Sequence, residues 1–157
     1  MSINVGDALP AGDLQESTPK TRHNPAELFG SGKHILFGVP GAFTPGCSKT
    51  HLPGYVNDHA VITGKGMDSI NCIAVNDAFV MGAWNKDSGS DEITMLADGN
   101  ADFVEAIGLT MDGSGFGMGK RGQRFSMVVE DGTVTQLNFE DPGDFKVSSA
   151  EHMLGQL

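Results

Sequence analysis

The residue best suited to chemistry in this chain is a cysteine at the start of an expected helix. It stands in the stretch VPGAFTPGCSKTHLPGY, residues Val39–Tyr55. Thr44 is a good N-cap residue, and Pro45 would be the first helical residue, where its missing N–H costs nothing. Cys47 then falls at the third helical position, among N–H groups that have no partner within the helix. This placement favours a thiolate, the nucleophilic form of cysteine.

A structural role for Cys47 fits the same position. Free cysteine is most often a small buried apolar residue, so the position alone supports the nucleophile and the core residue about equally. His51 follows four residues later and could share a helical face with Cys47, which would allow a cysteine–histidine pair. The more common role of such a histidine is to support the hydrogen bonding of its own helix.

Two short apolar runs flank this segment and indicate buried strands. The first is KHILFGVP, Lys33–Pro40, which is stopped by proline and glycine, and the second is SINCIAVND, Ser69–Asp77. The residues from Cys47 to about Ile62 fit a helix in which Pro53 removes one hydrogen bond and introduces a kink. The order of strand, helix and strand predicts a parallel βαβ unit with Cys47 just beyond its first strand.

The second half of the chain changes to antiparallel patterns. EITML fits another strand, and ADGNADFVEAIGL fits a short helix with Asn100 as its cap and Gly108 as its stop. RFSMVVEDGTVTQLNFE contains two β-rich runs around Asp131-Gly132, the strongest short signal for a hairpin. SSAEHMLGQL predicts a C-terminal helix capped by Ser148 or Ser149. This order predicts an α/β protein with a thioredoxin-like fold, a central mixed β-sheet flanked by helices.

Length and charge limit the classes of partner. We expect a single domain, residues 1–157, which is long enough to fold without a metal or a disulfide. The 10 basic and 20 acidic residues give a net charge of −10, and the longest basic run is the pair Lys120-Arg121. Nucleic acids and anionic membranes are therefore poor candidates for partners.

The cysteines and the apolar runs indicate the compartment. The chain does not begin with a basic segment and an apolar core, and no apolar run approaches the roughly 20 residues of a membrane span. Cys47 and Cys72 make neither a disulfide framework nor a Cys-x-x-Cys metal motif, and the histidines show no ligand spacing. We expect a cytoplasmic protein in a reducing environment, with no metal and no other cofactor.

The residues around Cys47, taken with a distant arginine, resemble a known family. PGAFTPGC places Pro40, Thr44 and Cys47 in a P-x-x-x-T-x-x-C pattern, and RFSMVVEDG begins at Arg124. These two motifs together are highly specific and resemble the peroxiredoxins. The resemblance covers essentially the whole chain, including CIAVNDAFVMGAW and the closing VSSA, and is closest to the type II, peroxiredoxin-5-like subfamily.

The resemblance implies a thiol peroxidase that reduces hydrogen peroxide and alkyl hydroperoxides. Cys47 would be the peroxidatic cysteine, oxidised to sulfenic acid, with Thr44 and Arg124 orienting the peroxide. Pro40 would shield the thiolate from water, and Gly46 would let a small oxidant approach the backbone N–H groups. The forked donors of an arginine suit the charged oxygens of the transition state. Without the cysteine motif, a solvated charge at a strand end would be the better interpretation of this arginine.

The resemblance also bears on recycling and assembly. Some type II relatives have a resolving cysteine near the C-terminus, but the matching stretch here, DFKVSSAEH, has Ser148 and Ser149. Cys72 is expected to lie roughly 13 Å back from the active edge, whereas a disulfide needs Cα atoms within about 7 Å. We therefore expect a one-cysteine cycle in which glutathione with glutaredoxin, or thioredoxin, reduces Cys47. The family forms dimers through the region Asp77–Trp84, so a homodimer is expected.

Two other functions fit parts of the sequence. CSKT puts Cys47 where thioredoxin-like or glutaredoxin-like carriers have Cys-x-x-Cys or Cys-x-x-Ser, although Thr50 replaces the second sulfur. A redox-sensing or chaperone-like scaffold would bind partners without turnover. A carrier has no need of Thr44 and Arg124 around an oxyanion, which favours the peroxidase. GSGFGMGKRG, residues 113–122, fails the spacing of a phosphate-binding loop and is predicted to be a flexible loop.

Overall fold

The centre of the molecule is a mixed β-sheet with helices on both of its faces. The computed structural model describes residues 2–157. The strands are β1 (Leu14–Glu16), β2 (Thr18–His23), β3 (Lys33–Gly38), β4 (Ser69–Ala74), β5 (Thr94–Ala97), β6 (Thr110–Asp112), β7 (Lys120–Gly122), β8 (Phe125–Glu130) and β9 (Thr133–Phe139). The α-helices are α1 (Pro25–Leu28), α2 (Leu52–Asn57), α3 (His59–Gly64), α4 (Ala78–Ser88), α5 (Asp102–Ala106) and α6 (Ala150–Leu154). A π-helical turn spans Cys47–His51 and a 3₁₀ turn spans Ser114–Phe116.

The pairing of the strands contains the predicted βαβ unit. The main sheet has the order β2-β1-β5-β4-β3-β8-β9, while β6 and β7 form a separate pair. β3, β4 and β5 are parallel, whereas β8 joins β3 and β9 in antiparallel pairs. The predicted mixed sheet with flanking helices is confirmed. Among residues 2–157, no helix combines the length and the apolar character needed to cross a membrane.

The sheet separates two apolar cores. β3 and β4 are mostly apolar, because both faces of these strands are buried along most of their length. Ile35 and Phe37 face a core that also contains Cys47, while Leu36, between them, belongs to a second core on the opposite face. Residues of α2, α4 and α6 complete the first core, and residues next to α1 and within α5 complete the second.

The helical segment after β3 begins where the sequence predicts. Helical geometry starts at Pro45, directly after Thr44. The helical segment is irregular near Pro53, as expected, but the irregularity is a π turn that ends at His51. In this turn the Leu52 N–H donates to the Cys47 carbonyl, and Pro53 follows in the first turn of α2. Single π turns inside helices are frequent at functional sites.

The antiparallel half also follows the prediction. Glu130 pairs with Thr133 across Asp131-Gly132, and the two turn residues have φ angles of 49° and 81°. Positive φ at both positions is the geometry of a type I′ hairpin turn. The Ser149 hydroxyl accepts a hydrogen bond from the third residue of α6 at 3.1 Å, so Ser149 is the cap.

Two local predictions are wrong. The cap of α5 is not Asn100, because the carboxylate of Asp98 accepts the N–H groups of Phe103 and Val104 at 3.2 and 2.9 Å. Ala101 has a φ of 63°, and this left-handed turn lets the earlier residue reach the helix start. Residues 113–122 are more than a flexible loop, since β7 lies within them and pairs with β6 around the 3₁₀ turn.

The apolar stretch DAFVMGAW forms α4 and contributes to the core. Asp77 caps this helix by accepting the Val80 N–H at 2.8 Å. Met81 and Trp84 are buried in the first core, whereas Phe79 is 65% exposed. Only part of the region predicted as a dimer interface, Asp77–Trp84, is therefore surface.

Candidate active site

Cys47 lies in the first turn of the helical segment, beyond the end of β3. Its side chain is fully buried in the core that contains Phe37 and Tyr55. Cys47 thus lies in the first turn of the helical segment, as the sequence predicts, and it is also a residue of the apolar core. A thiolate removed from water needs hydrogen-bond donors from the protein. Arg124 supplies one, with Nη2 at 3.3 Å from Sγ.

Arg124 stands between β7 and β8, and hydrogen bonds hold both its guanidinium group and its backbone carbonyl. Its Nη1 donates to Nδ1 of His51 at 2.8 Å, while Nη2 faces the sulfur of Cys47. The Phe145 ring lies beside the guanidinium, with its centroid 5.6 Å from Cζ. The Arg124 carbonyl accepts the Glu140 N–H at 2.9 Å. A guanidinium with these contacts is a fixed cation of the site and not a solvated charge at a strand end.

His51 is fully buried, and its two ring nitrogens have different partners. Nε2 lies 2.9 Å from the carbonyl oxygen of Ser148, which can only accept, so Nε2 carries the proton. Nδ1 is then the acceptor for Arg124. Burial, together with the nearby charge of Arg124, lowers the pKa of His51 to about 3, so the ring is neutral at pH 7. In place of a direct cysteine–histidine pair, the guanidinium bridges the two side chains.

Thr44 and Gly46 lie beside the thiol. The Thr44 hydroxyl donates to the Gly41 carbonyl at 2.7 Å, and no N–H of the helix start donates to it within residues 2–157. The predicted cap position is right, but the predicted capping hydrogen bond is wrong. A Cβ atom on Gly46 would lie 3.2 Å from Nη2 of Arg124, so a side chain at this position would press on the guanidinium.

A segment after β9 forms the wall behind His51. One carboxylate oxygen of Glu140 accepts the N–H groups of Lys146, Val147 and Ser148 and the Ser148 hydroxyl, at 2.7–2.9 Å. Burial by itself raises the pKa of Glu140, but these hydrogen bonds outweigh it and hold the pKa below its usual value. The Ser148 carbonyl also accepts the Tyr55 hydroxyl at 2.9 Å. The sequence, EDPGDFKVS, indicates only a loop here.

A cavity of about 730 Å³ opens beside Arg124. Four of the five residues predicted for the site line it, namely Pro40, Thr44, Gly46 and Arg124, and Cys47 lies buried next to them. The apolar side chains of the remaining wall are those of Met111, Phe116, Met118 and Phe145. The carboxylates of Asp112, Asp141 and Asp144 also line the cavity. The structure thus brings the predicted residues together around a space that a small organic molecule can enter.

Cys72 lies in the centre of the sheet. It pairs with Phe37 across β3 and β4, it is fully buried, and both cysteines are free thiols. Burial, and then the charge of Cys47, raise the pKa of Cys72 well above its usual value. A thiol of this kind is a poor nucleophile in this conformation. In the part of the chain that the structure describes, no three His, Cys, Asp or Glu side chains are grouped to hold a metal ion.

Comparison with known proteins identifies the family. The family model described as Redoxin matches residues 4–154. Peroxiredoxin-2E, a chloroplastic protein of Arabidopsis thaliana, is 45% identical, and the alignment covers 99% of this chain and 70% of that protein. The chain belongs to the Redoxin family and is a type II peroxiredoxin. It is therefore a thiol-dependent peroxidase, which reduces a peroxide with electrons from a thiol.

Solved structures agree with this peroxiredoxin over its full length. The crystal structure of reduced Prx3 from Vibrio vulnificus in complex with H2O2 has a TM-score of 0.95 and 48% identity, covering 99% of both chains. Peroxiredoxin 5 from Alvinella pompejana has a TM-score of 0.87 and 33% identity, covering 97% of this chain and 96% of its own. The predicted thioredoxin-like fold is confirmed by these similarities.

Proposed function

We propose that Cys47 is the peroxidatic cysteine and that Arg124 and Thr44 orient the peroxide. The observation that carries the proposal is the hydrogen bond from Arg124 Nη2 to Cys47 Sγ, 3.3 Å long, beside the cavity. The guanidinium is a charged hydrogen-bond donor placed beside the sulfur, where the nucleophilic form of a cysteine needs a partner. This arrangement supports nucleophilic attack by Cys47 on a molecule held in the cavity.

The reaction is a displacement at the terminal oxygen of the peroxide. The thiolate of Cys47 attacks this oxygen, the S–O bond forms as the O–O bond breaks, and the leaving oxygen takes a proton from water. The sulfur loses two electrons and the peroxide gains them. Negative charge spreads over both oxygens, where the guanidinium of Arg124 stabilises it. The Thr44 hydroxyl donates its hydrogen bond to the Gly41 carbonyl, so its oxygen is free to accept a hydrogen bond from the O–H of the peroxide.

Pro40 and Gly46 have supporting roles in this proposal. Pro40 is half-buried and lines the cavity next to the reactive turn, where its ring excludes water from the thiolate. Gly46 leaves the space between the cavity and the guanidinium open, since a Cβ atom there would crowd Arg124. The apolar walls of Met111 and Phe116 support alkyl hydroperoxides as substrates beside hydrogen peroxide.

Glutathione is the proposed first reductant. Cys47 is fully buried, so a partner protein has little access to it, whereas a tripeptide thiol is small enough to enter the adjacent cavity of about 730 Å³. The glutathione thiol attacks the sulfenic sulfur, an S–S bond forms and water leaves. A second thiol, from glutaredoxin or glutathione, then releases Cys47 and carries away the disulfide. The reducing cytoplasm is the compartment we propose for this cycle.

The reductant is tested by comparing peroxide consumption with three thiol systems. We expect the highest turnover with glutathione plus glutaredoxin, slower turnover with glutathione alone, and little with thioredoxin. Turnover supported by thioredoxin alone at the glutaredoxin rate would contradict the proposed order of reductants.

A homodimer through the exposed end of α4 is part of the proposal. Phe79 is 65% exposed and Phe43 is 50% exposed. Asn76 accepts the Ala42 N–H at 2.9 Å, which holds the loop of Phe43 beside the start of α4. Two exposed aromatic rings on adjoining segments support an apolar contact with a second copy.

Sedimentation of Phe79→Glu tests the dimer. We expect this variant to be monomeric at a concentration at which the parent is dimeric. Val61→Glu is the matched control, because Val61 is 53% exposed on α3, and it should leave the dimer intact. A parent protein that sediments as a monomer would contradict the homodimer.

Cys47→Ser is the primary test of the site. A serine hydroxyl is not ionised at neutral pH, so this variant should consume no peroxide beyond the uncatalysed rate while keeping the parent's circular dichroism spectrum. Measurable turnover would show that the peroxidatic sulfur lies elsewhere. A thiol–disulfide carrier would behave differently, since it would exchange disulfides without consuming peroxide.

A further inference from the structure

A chain of hydrogen bonds connects a buried carboxylate to the reactive sulfur. Glu140 accepts the N–H and the hydroxyl of Ser148, and the Ser148 carbonyl accepts the Nε2–H of His51. Nδ1 of His51 accepts Nη1 of Arg124, whose Nη2 donates to Cys47. Every link in the chain is 3.3 Å or shorter. Glu140 is thus connected to the thiol through three intervening residues.

We propose that Glu140 is a positioning residue of the peroxidase, whose carboxylate fixes the tautomer of His51 and thereby aims Arg124 at Cys47. The inference rests on the proposed roles of Cys47 and Arg124. It adds a group that does not itself contact the sulfur.

One oxygen of the Glu140 carboxylate accepts more hydrogen bonds than a neutral acceptor can. Four donors converge on this single atom, three of them the consecutive N–H groups of residues 146–148. A neutral amide oxygen has two lone pairs, whereas a carboxylate oxygen carries the negative charge that four donors require. The carboxylate therefore fixes the orientation of the peptide groups around Ser148.

The Ser148 carbonyl points from this segment to the ring of His51. This carbonyl is an acceptor only, and it faces His51, so the ring must keep its proton on Nε2. In the other tautomer an Nδ1–H would oppose an N–H of Arg124 across 2.8 Å, and two donors cannot share that contact. The guanidinium would then turn away from its present position, and its hydrogen bond to Cys47 would be lost.

The backbone of Glu140 makes the effect of its side chain separable. The Glu140 N–H donates to the Arg124 carbonyl, and the Glu140 carbonyl accepts the Gln123 side chain at 2.6 Å. These contacts do not involve the carboxylate, so they remain when the side chain is shortened. Substitution of Glu140 therefore tests the carboxylate without removing the anchor of the Arg124 backbone.

The test compares Glu140→Ala and Glu140→Gln with the parent in two measurements. The tautomer of His51 is read from the ¹⁵N chemical shifts of its ring, assigned by the signals that disappear in His51→Gln. The rate of Cys47 oxidation is read by stopped-flow fluorescence of Trp84, whose Nε1 donates to Ser48 at 3.0 Å, next to the thiol. Both measurements use the full chain.

The expected result is a graded loss. Glu140→Ala should populate both tautomers of His51 and slow Cys47 oxidation by about 10- to 100-fold, because the guanidinium is no longer held. Glu140→Gln keeps an acceptor oxygen and should fall between this variant and the parent in both measurements. If Glu140→Ala does not fold, the tautomer of His51 and the rate of Cys47 oxidation are compared between Glu140→Gln and the parent alone.

Asp98→Asn is the matched control. Asp98 is also a buried carboxylate that accepts backbone N–H groups, but it caps α5 against the second core. This variant should lose stability and keep the tautomer of His51 and the oxidation rate of the parent. An equal effect of Asp98→Asn on the tautomer and rate would reduce the role of Glu140 to general stability and overturn the proposal.

Failure of this inference is distinguishable from failure of the proposed function. The tautomer is measured without peroxide, so an unchanged Nε2–H signal in Glu140→Ala overturns the positioning role whatever Cys47 does. A changed tautomer with the parent's oxidation rate overturns it as well. Turnover in Cys47→Ser would instead refute the peroxidatic role and leave the tautomer measurement intact.

Discussion

Nη1 of Arg124 donates to Nδ1 of His51 across 2.8 Å, so a buried neutral ring holds the cation that faces the sulfur of Cys47. The histidine adds no charge of its own at neutral pH, because its pKa lies at about 3. Its contribution is a fixed acceptor. One guanidinium nitrogen is fixed by this bond, and the other remains directed at Cys47.

Arg124→Lys tests the need for a forked donor. Lysine keeps the positive charge, but a single ammonium group cannot match the two donor directions that reach Cys47 and His51. We expect oxidation of Cys47 to slow by about 10- to 100-fold in Arg124→Lys and by a further factor in Arg124→Ala. Stopped-flow kinetics under single-turnover conditions measure both. A lysine variant as fast as the parent would show that charge alone is sufficient.

The buried His51 predicts an acid dependence of stability. Its folded pKa of about 3 is below the unfolded value of 6.5, so the unfolded state binds the extra proton between these values. Stability is therefore full above pH 6.5 and falls as the pH decreases toward 3. Between pH 7 and pH 5 this residue should cost about 2 kcal/mol of unfolding free energy.

His51→Gln provides the comparison. Glutamine does not titrate, and its amide can donate to Ser148 and accept from Arg124. In urea unfolding, the variant should lose about 2 kcal/mol less than the parent between pH 7 and pH 5. Equal losses in the two proteins would mean that His51 is not held neutral.

The local parts of the structure could be predicted from the sequence because each depends on neighbouring residues. The strand Lys33–Gly38 follows from an apolar run, and the hairpin follows from Asp131-Gly132. The helix start at Pro45 follows from the proline itself. Local patterns do not predict that Arg124 approaches Cys47. This long-range contact follows only from the resemblance to the peroxiredoxins.

Other parts of the structure could not be predicted, because they depend on contacts between distant residues or on local geometry that a single sequence does not show. The bonds from His51 to Arg124 and to Ser148 join residues 73 and 97 positions apart, and no local pattern marks such partners. β2 has a mostly exposed sequence, TPKTRH, without the alternation that identifies a strand. The sequence predicts Asn100 as the cap of α5, because a single sequence does not reveal the left-handed Ala101 that brings Asp98 into reach.

Thr44 tests whether its hydroxyl serves the reaction or only the turn. Thr44→Val loses the hydrogen bond to Gly41, which should cost about 1 kcal/mol of stability, and it also loses the acceptor for the peroxide. We expect Cys47 oxidation to slow by at least about 10-fold in Thr44→Val. Thr44→Ser retains the hydroxyl and should stay close to the parent in rate. Equal rates for the valine and serine variants would remove Thr44 from the reaction.

Cys72 tests the one-cysteine cycle. We predict that Cys72 lies too far from Cys47 for a disulfide, and the structure adds a chemical reason, since burial and the charge of Cys47 raise the pKa of the Cys72 thiol. Cys72→Ala should keep glutaredoxin-supported turnover within a few-fold of the parent. It is a better variant than Cys72→Ser, because a hydroxyl buried in this core without a partner would cost about 1–3 kcal/mol.

The oxidised product distinguishes a cycle that uses Cys47 alone from one in which Cys72 forms a disulfide with Cys47. After one equivalent of peroxide, mass spectrometry of the parent should find sulfenic acid at Cys47, or a glutathione adduct at Cys47 when glutathione is present. Cys72 should remain reduced, because it is held in β4 opposite Phe37 and its thiol is protonated at neutral pH. Cys72→Ala should give the same product as the parent. A quantitative disulfide between Cys47 and Cys72 within one chain, absent from Cys72→Ala, would show that the reactive turn unfolds locally and that Cys72 resolves the sulfenic acid.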